Sequence, residues 1–93
     1  MTRTELLNEA IERVTRGTRE YGRVEDNFGL IAELWNGYLR AVPRESLEGV
    51  DVAAMMILLK LARSVTGGQK ADTWLDIAGY AACAAELGVR EDD

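Results

Sequence analysis

Lys60 and Arg63 lie three residues apart, and Asp72 and Asp76 lie four apart with Tyr80 one further turn along. On helices both spacings bring side chains to neighbouring positions on one face. An ammonium beside a guanidinium holds a phosphate by point-charge and bidentate contacts together. Two carboxylates one turn apart suit a hydrated magnesium ion whose remaining ligands are substrate phosphates. Each pair also has a plainer reading. Long cations lay their stems along apolar surface and send their heads to water, Asp72 caps a helix, and Asp76 forms a salt bridge to Lys60 or Arg63.

Tyr21, Phe28, Trp35, Trp74 and Tyr80 all fall in the segments that carry these polar groups. An aromatic face beside a cation suits a nucleobase with its phosphate. Phe28 and Trp35 recur at helical spacing and read as core, which leaves Tyr21 and Trp74 as the stacking candidates. Asn27 and Glu33 either reach the same region from the second helix or belong to a solvated face. The expected ligand-binding set is Tyr21, Asn27, Lys60, Arg63, Trp74, Asp76 and Tyr80. Glu33, Asp72 and Asp76 enter as metal ligands only if the site is a magnesium-dependent one.

Four helices must position these groups, over residues 3–16, 25–41, 51–66 and 72–87. Thr2 and Glu5 have the spacing of a capping box, and Leu6, Leu7, Ala10, Ile11 and Val14 follow at helical period up to Gly17. The stretch from Thr18 to Val24 has no clean period and reads as a connecting loop. Glu25, Asp26 and Asn27 start the second helix and Pro43 ends it. Asp51 caps a third helix that is apolar on almost every side, so it is expected to be central. Gly67 and Gly68 close it. The fourth helix carries Ala78, Gly79, Ala81, Ala82, Ala84 and Ala85, small residues suited to close packing on the central helix or a second subunit, and after Gly88 the acidic tail frays.

Ninety-three residues form one domain that buries only about 60 to 70% of its unfolded surface, so oligomerisation would help it. Hydrophobic residues are 47% and charged residues 29%, which excludes a disordered chain. A formal charge of −5 argues against a generic nucleic-acid binder and leaves room for a small anion in a local basic pocket. There is no histidine, which removes His-based zinc sites and Ser-His or Cys-His mechanisms. The one cysteine, Cys83, reads as a small core residue in a reducing compartment. The charged, amphipathic N-terminus and the short apolar runs predict a cytoplasmic protein with no membrane partner.

At YGRVEDNF, DVAAMMILLKLAR and DTWLDIAGYAA the chain resembles a family of small phage and prophage proteins that carry a domain of unknown function. It also looks like a distant relative of phage nucleotide-modification-associated domains and, more remotely, of the all-α nucleoside triphosphate pyrophosphatases of the MazG type. That resemblance implies a helical, oligomeric, nucleotide-handling protein. MazG-type enzymes hold magnesium with acids three apart on two helices. Here Thr73 stands three before Asp76, and Glu33 has Leu30 and Asn36 at that spacing. The metal set is therefore incomplete. The expectation is an all-α, four-helix bundle-like, homo-oligomeric domain that binds a nucleotide without cofactor or catalysis. Two alternatives stay open: a magnesium-dependent nucleotide pyrophosphatase, and a structural protein-interaction module in which Lys60, Arg63 and Asp76 form an internal ion-pair network.

Overall fold

Only two residues in the described chain have positive φ, Gly22 at +78° and Gly68 at +87°, and these are where the first and third helices end. A computed structural model describes residues 1–87, with the side chains of Thr18, Arg19 and Tyr21 outside the description. It holds four helices: α1 (Arg3–Tyr21), α2 (Val24–Ala41), α3 (Gly49–Gly67) and α4 (Ala71–Glu86). The expected fraying of the acidic tail lies outside the described residues.

α1 begins at Thr2, whose hydroxyl accepts the Glu5 N–H at 3.1 Å. It does not stop at Gly17. A glycine inside a helix costs about 1 kcal/mol but does not end it, so α1 continues through the expected loop to Tyr21. Gly22 is the true terminator for two reasons. Its φ is one that other residues rarely adopt, and a Cβ there would sit 3.1 Å from the Thr66 carbonyl oxygen. The connection to α2 is thus two residues long. Arg23 then pairs with Glu25 at 3.1 Å across the start of α2.

α3 starts two residues before Asp51. Glu48 is its N-cap and Asp51 is the third helical residue, the two forming a reciprocal capping box. The indole N–H of Trp35 donates to the Met55 carbonyl at 2.7 Å and fastens α2 to α3. α4 lies along α3, the most extensive contact in the chain, through Thr73, Ile77, Tyr80 and Ala84 at helical spacing.

These contacts do not close into a bundle. Among the described residues α4 touches neither α1 nor α2, and α1 meets α2 and α3 only slightly. The chain is an open arrangement about α3, 51 Å long. Its radius of gyration is 16.1 Å, against ~12 Å for a compact chain of this length. Among the described residues only Ile31, Ala53 and Ala62 are buried apolar residues, and α3 is half-covered rather than enclosed.

Two expected core residues are therefore outside. Phe28 is exposed because α1 does not cover the outer face of α2, and Cys83 is exposed because α4 has α3 as its sole helix neighbour among the described residues. Most of the small residues of α4 also face outward.

Candidate functional site

Lys60 and Arg63 share a helix but serve different places. Lys60 points to α4, where its ammonium lies 3.0 Å from the Asp76 carboxylate. Asp76 is half exposed, beside Leu75, Gly79, Tyr80 and Cys83 on a shallow surface. This is the salt bridge that the plainer reading of the two residues offered. Trp74 is exposed on the same helix and donates its indole N–H to Gln69 at 3.1 Å.

Arg63 faces the other way, into a cleft of 570 Å³ formed by α1, α2 and α3. α1 supplies Arg13, Val14 and Gly17, and α2 supplies Val24, Asn27 and Phe28, with Gly22 in the turn between them. The floor is held by a relay. Buried Asn27 donates its side-chain N–H to the Thr66 hydroxyl at 2.7 Å, and that hydroxyl donates to the Ala62 carbonyl at 3.2 Å. Asn27 thereby fixes the start of α2 against the end of α3, and Gly22 lets the backbone close over Thr66. The cleft is lined by two guanidinium groups, one carboxamide and an aromatic ring, and no carboxylate lines it among the described residues.

Of the seven expected ligand-binding residues, two, Asn27 and Arg63, meet in this cleft. Lys60, Asp76 and Tyr80 lie together at the α3–α4 contact, and Trp74 is apart from both groups. The Tyr21 side chain lies outside those described. Glu33 is exposed on α2, which does not touch the helix that carries Asp72 and Asp76. No group of three or more acidic, histidine or cysteine side chains able to hold a metal occurs among the described residues.

Arg13 is the residue that sequence reasoning missed. It sits beside Glu9, Glu12 and Arg16 on the polar face of an amphipathic helix, so its local context spells solvent. Its second neighbourhood arises only where α1 packs beside α2 and α3.

A contrasting polar cluster stands at the other end of α2. Asp51 is fully buried and accepts hydrogen bonds from the Tyr38 hydroxyl at 2.6 Å, from the Glu48 N–H at 2.8 Å and from the Arg44 guanidinium. The Tyr38 hydroxyl, the Glu48 amide and Arg44 hold its carboxyl down to about 2, from an ordinary 3.8. The same bond raises the Tyr38 pKa, because losing the phenol proton would set two negative charges together. Every partner here is internal to the α2–α3 connection. The cluster locks that turn around a carboxylate that is itself fully buried.

Residues 5–88 match the model of a family described as a domain of unknown function, DUF6378. The chain belongs to the DUF6378 family. Its relatives include the Gene 55 protein of Mycobacterium phage L5, 42% identical over 84 residues, which are 88% of this chain and 52% of that protein. The Gene 55 protein of Mycobacterium phage D29 is 37% identical over 86 residues, 90% of this chain and 54% of that protein. The chain thus spans about half the length of these curated relatives. The match covers both the cleft and the hinge cluster of this DUF6378 chain, and its relatives agree with the resemblance to phage proteins of unknown function. No solved structure matches. No described helix is long and apolar enough to cross a membrane.

Proposed function

We propose that this protein binds a small, phosphate-bearing nucleotide in the cleft between α1, α2 and α3 and holds it without converting it. One observation carries this reading. In a chain of formal charge −5, two arginines from helices far apart in sequence converge on a cleft that no described carboxylate lines. Guanidinium groups match phosphate oxygens bidentately. Phe28, exposed on the lip, presents a face for a base.

The phosphate role thus passes from the Lys60–Arg63 pair to Arg13 and Arg63. Lys60 and Asp76, at 3.0 Å, read as the structural pair that ties α3 to α4. The described lining side chains offer donors and apolar surface but no general base, which favours holding over hydrolysis. Kinship with the nucleotide-modification-associated and MazG-type proteins belongs to this proposal as a shared ligand class. The phage relatives suggest the biological setting: sequestration of a nucleotide signal of host defence.

The test is thermal melting of the protein against mono-, di-, tri- and cyclic nucleotides with and without magnesium, followed by chromatography of the mixtures. A ligand at a hundred times its Kd adds about 2.7 kcal/mol, which raises the Tm of a domain this size by roughly 10 to 20 °C. A shift with the nucleotide recovered intact is the expected result. Conversion that appears only with magnesium would replace the reading with the pyrophosphatase, and no shift with any nucleotide would remove it.

A further inference from the structure

Among the described residues, nothing covers the apolar stripe of α1. Leu6, Leu7, Ile11 and Val14 are between 56% and 66% exposed, although they stand at the spacing that makes one face of an amphipathic helix. The opposite face is polar, with Glu9, Glu12, Arg13 and Arg16 near one another.

We infer that a second copy of this chain covers the α1 stripe from Leu6 to Val14, α1 packing on its counterpart across a two-fold axis. The area argues for it. The accessible surface is 7126 Å², about 1,800 Å² more than the ~5,300 Å² expected for a compact chain of 10.3 kDa. An obligate homodimer removes about 1,000 to 2,500 Å² from each partner, so the chain as a whole exposes enough extra surface to supply one such interface. The chemistry agrees. An aliphatic stripe at four- and three-residue steps, Leu7, Ile11 and Val14, is self-complementary in the knobs-into-holes sense, and a two-fold interface requires a surface that fits itself. A lipid surface fits poorly, because α1 carries Glu5, Glu9 and Glu12 and the stripe has no aromatic anchor. This inference does not rest on the nucleotide reading.

Sedimentation equilibrium of the wild-type chain, from low to hundreds of micromolar, is expected to give twice the 10.3 kDa of one chain. Ile11→Arg is expected to give the single-chain mass with helical circular dichroism retained, while Glu12→Arg, on the polar face, stays dimeric. Should Ile11→Arg fail to fold, Ile11→Cys in a Cys83→Ser background replaces it. Its thiol reacts slowly with a maleimide at high protein concentration and at least tenfold faster on dilution below the dimer Kd. A wild-type monomer at every concentration would overturn the inference. So would a dimer that survives Ile11→Arg, or a thiol whose labelling rate ignores concentration.

Discussion

α2 carries a polar cluster at each end, and the two are built on opposite terms. At its C-terminal end Tyr38 joins Arg44 and Glu48 to surround Asp51, a buried carboxylate that accepts from all three. At its N-terminal end Asn27 and Phe28 meet Arg13 and Arg63 around an open cleft. One carboxylate with several donors is a saturated, charge-balanced arrangement, and it secures a connection. Arg13 and Arg63 bring two guanidinium groups to one open cleft, and a phosphate is the ligand whose oxygens such groups match. Charge and burial alone would rank the hinge as the more conspicuous site. Its saturation is what assigns it to structure.

The largest expected effect is at the hinge. Asp51→Ala removes the one acceptor shared by three donors and leaves buried N–H and O–H groups without a partner. Its Tm should fall by about 10 °C or more in a thermal melt, with any nucleotide affinity of the folded fraction unchanged. A wild-type Tm in this variant would put the hinge and the cleft on the same footing.

Acid should act through the same carboxyl. The folded pKa of Asp51 is depressed, so its contribution is complete above the ordinary value of 3.8 and is lost as pH falls toward about 2. Denaturant titrations between those limits should show wild-type stability declining with acidity, and Asp51→Asn should show a shallower decline. Equal slopes would mean that other carboxyls dominate acid unfolding.

At the cleft the order of effects reverses. Arg63→Gln is expected to weaken nucleotide binding tenfold to a hundredfold, on the scale of a charge-assisted hydrogen bond of about 1.5 to 3 kcal/mol. Arg13→Gln should do the same, with its Tm changing by no more than a few degrees because Arg13 is exposed. Gly22→Ala sharpens the comparison from the backbone side. The positive φ and the 3.1 Å approach to Thr66 should cost about 1 to 3 kcal/mol, read in urea unfolding, and should loosen the cleft floor. The smallest effect belongs to Asp76→Asn. Its partner Lys60 is mostly covered, but Asp76 is half exposed, so the pair contributes about 0.2 to 1 kcal/mol.

Much of this was legible in advance, and the exceptions have physical causes. The all-helical class follows from period and caps. Trp35 packs on α3, as its helical spacing suggests. Gly17 and Gly22 show the limit of punctuation by glycine, since either can end a helix and only the Thr66 carbonyl, brought near by tertiary packing, decides between them. Asp51 reads as a cap in sequence because capping is local, whereas its bonds to Tyr38 and Arg44 depend on how α2 returns to α3. Phe28 and Cys83 looked internal because helical period predicts a covered face, and the period says nothing about which chain covers it. Arg13 could not be singled out, since its partner in the cleft is supplied by α3.

The most direct test of the central claim is a heteronuclear NMR titration with the nucleotide that gives the largest melting shift. The account predicts perturbed resonances at Arg13, Asn27, Phe28 and Arg63, and unperturbed ones at Tyr38, Asp51, Asp76 and Tyr80. Perturbation centred on Asp76 and Tyr80, with Arg13 and Arg63 silent, would contradict it.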